Sequence, residues 1–224
     1  MYSEHASALP HVVAWRSVSS GAPQRILPDG CLDLIWSAGE VFVAGPDTVA
    51  ELSESAPGRR SFALRFAAGT GAAVVGLPAD ELTDLQVPLA DLWPAPEVRR
   101  IAEAADPASA LLDAAVRRWQ DPDRAMVEVA ARARAGQPVD AIAAACGLSP
   151  RQLQRRCRTA FGYGPKTLIR VLRMQRALGL ARHGQALAEV SAVAGYADQA
   201  HLSRDVKALA GVPLRSLLVP ATAA

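Results

Sequence analysis

The feature that most constrains this chain is a helix, turn, helix pattern that occurs twice. In LAEVSAVAGYADQAHLSRDVKALAG, residues 187–211, Val190, Val193 and Ala194 form an apolar stripe at helical spacing. Gly195 then supplies the backbone freedom that a tight helix end needs. Asp198 is placed to cap a second helix, in which Leu202, Val206 and Leu209 recur at i, i+4 and i+7. The remaining positions of that helix, Gln199, His201, Ser203, Arg204 and Lys207, offer the donors and positive charges that base edges and phosphates accept. Upstream, VDAIAAACGLSPRQLQRRCRTAFG repeats the arrangement with one residue fewer in the turn. Ile142 matches Val190, Gly147 matches Gly195, Arg155 matches Arg204 and Gly162 matches Gly211. One helical hairpin with a charged face is common and usually only solvated; two matched copies argue against chance.

In the first copy Ser149 is a good N-cap and Pro150 takes the first helical position, where its missing N–H costs nothing. Leu153, Cys157 and Ala160 fall on one face, and Arg151, Arg155 and Arg158 project from the opposite one, with Gln152 and Gln154 as further polar candidates. Between the copies, the stretch from Pro165 to His183 reads as a long helix that bridges the units through Leu168, Val171, Leu172, Met174, Gln175 and Leu178. Its roughly 17 residues span about 25 Å at ~1.5 Å per residue. That is the scale needed to set two recognition helices into successive major grooves about 34 Å apart.

These residues resemble the AraC/XylS family of transcription regulators, whose DNA-binding module is two helix-turn-helix units in one chain. The resemblance covers about the last hundred residues and is most specific in GYADQAHLSRDVKALAG. Val206 and Cys157 stand where the family usually has Phe, and its Gly-x-x-Pro is shortened to Gly211-Val212-Pro213. The resemblance implies double-stranded DNA as the partner. It implies for the first unit that Arg151, Gln154 and Arg155 face the groove.

Charge divides the chain in the same place. Through residue 120 there are 9 Lys and Arg against 15 Asp and Glu; from Asp121 onward there are 15 against 7. The basic half suits a polyanion, and the acidic half is better suited to another partner. Asp121-Pro122 is the expected boundary, because the residue before proline avoids helix and Pro122 can open the next one. The expected units are therefore 1–120, a β-rich regulatory half with trailing helices, and 121–224, the DNA-binding half, which opens with a helix over Arg124 to Ala135. No apolar run approaches the ~18 residues of a membrane span. The start, MYSEHASALPHVV, has neither the basic nor the apolar segment of a secretory signal. A cytoplasmic protein is expected, with no membrane partner.

From Val12 to Phe66 short alternating segments, VVAWRSV, RILPDGCLDLIW, EVFVAG and RSFALRF, are separated by PDG, AGE, GPD and APGRR turns, which predicts an all-β region. Leu32, Leu34 and Trp36 share one strand face, and Cys31, Asp33 and Ile35 the other. Asp33 and Arg65 either meet or face solvent. Residues 69–93 read as short helical turns over the sheet. Residues 95–120 read as one or two amphipathic helices with Val98, Ile101, Leu111, Leu112, Val116 and Trp119 as apolar positions, serving either intramolecular packing or a homodimer interface. RILPDGCLDLIW and the later RFAAG…GLPADELTD…PLADLW resemble a cupin-like domain of unknown specificity that precedes such modules. The fold class expected is α+β: a β-rich cupin-like half with packed helices, then an all-α module.

A small-molecule effector is expected in the β-rich half, at a pocket lined by Trp36, Asp33, Arg65 and Cys31. No cofactor and no metal is expected, because Cys31, Cys146 and Cys157 lack ligand spacing and His5 and His11 do not match a cupin histidine cluster. Phosphate-loop, dinucleotide and hydrolase motifs are absent. No enzyme is expected. The alternative reading is a cupin-like binding or enzymatic protein whose helical half has lost DNA specificity.

Overall fold

The computed structural model describes residues 2–218; residues 219–224, assigned above to the DNA-binding half, lie outside the described residues, as does Met1. The first half contains strands β1 (Tyr2–Ala6), β2 (Val12–Val18), β3 (Gln24–Ile26), β4 (Leu32–Ser37), β5 (Glu40–Ala44), β6 (Glu51–Ser53), β7 (Arg60–Phe66) and, after helix α1 (Ala72–Val75), β8 (Gln86–Pro88). One antiparallel sheet runs in the order β1-β2-β7-β4-β5-β8, and β3 and β6 form a separate two-stranded ribbon. The alternation read in β4 and β7 is realised: Leu34 pairs with Leu64 and, next to it, Asp33 pairs with Arg65. Because successive side chains point to opposite faces, one face becomes core and the other carries the charges.

The apolar face is covered by α1, α2 (Ala95–Ala102) and α3 (Pro107–Arg118). Leu34, Val43, Leu64 and Phe66 bury fully there, joined by Val98, Ile101 and Leu111 from the helices. Val116 departs from the expected apolar stripe and is 47% exposed. Glu97 of α2 ties the helices together by accepting from Arg118 at 2.6 and 2.8 Å and from Arg117 at 3.2 Å. Those bonds hold its carboxyl down at about 2. Three strands escape sequence reading, among them β6, which exists through its pairing with β3. β1 is exposed throughout and exists through its pairing with β2, while β8 is a three-residue strand completed only by β5.

The second half is all helix: α4 (Arg124–Arg134), α5 (Val139–Ala145), α6 (Pro150–Phe161), α7 (Pro165–Arg182), α8 (Leu187–Ala194) and α9 (Gln199–Ala210). Asp123, not Pro122, opens α4, its carboxylate accepting the Ala125 N–H at 3.0 Å. The long helix α7 serves two cores. Leu168, Val171 and Leu172 pack with Leu153, Cys157 and Phe161 in the first unit, whereas Met174, Ala177 and Leu178 pack with Val190, Leu202 and Val206 in the second. Cys157 and Val206, smaller than the Phe of the resembled family, are fully buried. In the first unit Phe161, one turn on from Cys157, adds aromatic volume to that core.

The halves are joined by packing and by hydrogen bonds. Ala68 lies in the same apolar cluster as Phe161, Gln175 Nε2 donates to Pro28 O at 2.7 Å, and Thr83 Oγ1 donates to Gly162 O at 3.0 Å.

Candidate nucleic-acid interface and ligand cavity

Helix α6 begins with a reciprocal cap. Ser149 Oγ accepts the Gln152 N–H at 3.3 Å, and Gln152 Oε1 accepts the Ser149 N–H at 2.9 Å. The cap occupies the Gln152 carboxamide oxygen and leaves the NH2 of this exposed side chain able to donate. Leu153, Cys157 and Phe161 turn inward, which leaves Arg151, Gln154, Arg155 and Arg158 exposed. Among the described residues, none of the three arginines is paired with a carboxylate. Arg156, by contrast, is bonded to Asp123 and faces α4. The result is an open cationic stripe on a helix of fixed start.

Helix α9 is built likewise, Asp198 accepting the His201 N–H at 2.6 Å. Gln199, Ser203, Arg204 and Lys207 are exposed. His201 is less available than its position suggests, because its Nδ1 accepts the Ala197 N–H at 3.3 Å and its ring stands edge-on to Tyr196 at 5.2 Å. The carboxylate of Asp205, only 8% exposed, points inward to Arg170 and Arg173 of α7, with the Arg173 contact at 3.0 Å. The one acid on this helix is thereby removed from the face that a phosphate would approach.

The charged face of the sheet borders a cavity of about 810 Å³. Trp15, Ile35 and Phe42 supply its apolar wall, with Asp33 and Arg65 between them. The β3–β6 ribbon lies over it, and strand alternation decides what it presents: Gln24, Ile26, Glu51 and Ser53 line the cavity, while the paired Arg25 and Leu52 do not. Asp33 and Arg65 form a bidentate pair, Nε to Oδ1 at 3.1 Å and Nη2 to Oδ2 at 3.1 Å, and Trp15 Nε1 donates to Asp33 Oδ1 at 3.0 Å. Burial pushes the Asp33 carboxyl up against the pull of the Arg65 guanidinium. Burial pulls Arg65 down, but the Asp33 and Asp29 carboxylates hold it above the ordinary arginine value.

Two residues expected in this pocket are elsewhere. Trp36 lies on the opposite sheet face by the same alternation and donates its Nε1–H to Ala102 O at 3.1 Å. Cys31 precedes β4, where its N–H is held by Asp29 at 2.8 Å; it does not line the cavity, and burial pushes its thiol well up, away from a reactive thiolate. Residues the sequence did not single out are Trp15, Asp47, Glu51, Glu54 and Arg59. Trp15 was findable, being in alternation with Ser17 on the face that pairs toward Arg65. Asp47 was not, because GPD reads as an ordinary solvated turn.

That turn is a junction. Gly45 N–H donates to Leu85 O at 3.0 Å, and Asp84 accepts from the Thr48 N–H at 2.6 Å and its hydroxyl at 2.7 Å. Pro46 abuts Gly162 at the end of α6: a Cβ on that glycine, which has φ of 82°, would lie 2.7 Å from Pro46 Cγ and 2.3 Å from Thr83 Oγ1. Ala50 N–H donates to Leu209 O of α9 at 2.7 Å, and Arg25 of the ribbon reaches Ala210 O at 3.0 Å. The 45–50 turn and strand β3, which contribute Asp47, Gln24 and Ile26 to the cavity, thus also touch the C-terminal ends of α6 and α9.

Two capped helices with open, acid-free faces, mounted on one bridging helix, define a DNA-binding protein. Comparisons with known proteins agree. Residues 142–218 match the helix-turn-helix domain family, and residues 9–88 match a domain of unknown function (DUF6597). No curated protein matches the sequence. The chain is similar to ToxT of Vibrio cholerae bound to an unsaturated fatty acid, at 11% identity over 97% of each chain with a TM-score of 0.50. It is also similar to apo ToxT, at 12% identity over 95% of this chain and 98% of that one with a TM-score of 0.51. A transcriptional regulator with an AraC-type DNA-binding domain from Chromobacterium violaceum aligns at 22% identity over 45% of this chain and 95% of its own, with a TM-score of 0.41. Residues 142–218 thus fall in a helix-turn-helix domain, and the C-terminal half carries two such units joined by α7, a DNA-binding module of that kind.

Proposed function

We propose that residues 121–224 read a two-part operator and that residues 1–120 bind a small-molecule effector in the sheet cavity. In the first unit Arg151, Gln154 and Arg155 reach base edges and Arg158 a phosphate. In the second, Gln199, Ser203 and the free edge of His201 read bases, with Arg204 and Lys207 as phosphate anchors. Effector control runs through residues 45–50 and the β3–β6 ribbon, which are cavity wall on one side and helix support on the other. The protein performs no covalent chemistry and works in the cytoplasm beside its DNA. The observation that carries the DNA reading is that both repeats expose arginine or lysine while Asp205 is turned inward. Selection of genomic fragments by the full chain at near-physiological salt tests it. An enriched element with two half-sites about 10 bp apart is expected; recovery of fragments sharing no element contradicts it.

A further inference from the structure

The charges around the cavity are unevenly matched. Arg65 is surrounded: Asp33 holds it at 3.1 Å, and the Asp29 and Glu4 carboxylates stand 3.8 Å away. Arg59 is equally committed, to Glu40 and the Ser37 hydroxyl at 2.7 Å each and to the Ser37 carbonyl at 3.2 Å. The cavity's remaining guanidinium, Arg99, is exposed on α2. Asp47, Glu51 and Glu54 also line the cavity, and among the described residues none of them is ion-paired; the Glu51 carboxylate has only a long bond, 3.5 Å, from Gln86 Nε2. Burial, then the carboxylates of Glu51, Asp84, Asp29 and Asp33, push the Asp47 carboxyl up to about 7. The same wall presents the rings of Trp15 and Phe42, surfaces that attract a cation through their π-faces.

We propose that this cavity takes a cationic amphiphile, an apolar or aromatic body carrying a protonated amine or a quaternary onium group, and disfavours carboxylates. The proposal rests on the reading of the cavity as a ligand site. An anionic ligand would bring its charge to a wall where Arg59 and Arg65 are already neutralised and where three unpaired acids, Asp47, Glu51 and Glu54, outnumber the one unpaired guanidinium among the described residues, that of Arg99. A cation there meets unpaired carboxylates and aromatic faces, and its body meets Ile26, Ile35 and Phe42. This is the opposite polarity from the fatty acid bound by ToxT.

Tetraphenylphosphonium and tetraphenylborate, alike in shape and opposite in charge, separate the possibilities by titration calorimetry on the full chain. The phosphonium is expected to bind at least ~10-fold more tightly, one decade of affinity being about 1.4 kcal/mol. A triple variant, Asp47→Asn, Glu51→Gln and Glu54→Gln, is expected to erase that preference while melting as a folded protein. Borate binding that equals or exceeds phosphonium binding overturns the charge assignment and leaves the ligand cavity standing. Phosphonium binding unchanged in the triple variant overturns it too, by placing the cation elsewhere. If neither ion binds, and neither alters affinity for the selected operator fragment, this proposal and the ligand-cavity reading fall together.

Discussion

The two helix-turn-helix units share one sequence pattern, yet they are anchored differently. Helix α6 ends on a packed joint: Gly162 is wedged against Thr83 and Pro46, and Phe161 shares a core with Ala68. Helix α9 ends on polar bonds, from Ala50 N–H to Leu209 O and from Arg25 to Ala210 O, and Gly211 has only the Arg25 guanidinium near it, at 3.2 Å from an added Cβ. Close packing resists displacement, whereas a few hydrogen bonds to a two-stranded ribbon yield at modest cost. The first unit is thus suited to fix the protein on DNA, and the second to respond when the ribbon over the cavity shifts.

Matched glycine substitutions would break this contrast if it is false. Gly162→Ala combines a left-handed residue with a clash against backbone-anchored neighbours and is expected to cost about 3 kcal/mol in urea denaturation. Gly211→Ala meets only the end of a flexible side chain and is expected to cost about 1 kcal/mol; equal losses would show that the ends are supported alike. Next in size, Asp205→Asn weakens the charge-assisted bonds to Arg170 and Arg173 and should destabilise the fold by about 2 kcal/mol. Its operator affinity should fall with stability and not through a lost DNA contact.

At the DNA, Arg155→Ala is expected to lose about 1–3 kcal/mol in gel-shift titrations and to relax preference at one base pair. Lys207→Ala should weaken all sequences alike and reduce the salt slope by about 1. A pH-dependent effect lies in the trailing helices. Since the Glu97 carboxyl is held at about 2, below its ordinary 4.5, its contribution is fully present above 4.5 and is lost as pH falls toward 2. Glu97→Gln should therefore flatten the acid limb of the melting profile and leave the neutral-to-alkaline limb with the wild-type slope.

How much of this was legible depends on range. The caps at Ser149 and Asp198, the inward stripe Leu202, Val206 and Leu209, and the alternation in β4 and β7 are set by residues a few positions apart, and the structure contains them all. Asp205, a carboxylate that phosphates would repel, turns instead to α7. Placing Trp36 with Asp33 in one pocket ignored that same alternation. Gln152 has a local role as well, because a glutamine three residues past a serine cap finds a partner for its oxygen there. The cavity's unpaired acids were not legible at all. Asp47 sits in a turn, Glu51 and Glu54 in and beside a ribbon of three-residue strands, and only tertiary packing sets them against Arg59 and Arg65.

The central claim is that both units, joined by α7 and held by one regulatory half, read DNA as a single body. Inserting about 5 bp, half a helical turn, between the half-sites of the selected operator tests this most directly, because it rotates one half-site to the far side of the duplex. The full chain should then bind no more tightly than to unrelated DNA of the same length. Unchanged affinity for the inserted operator would contradict the claim.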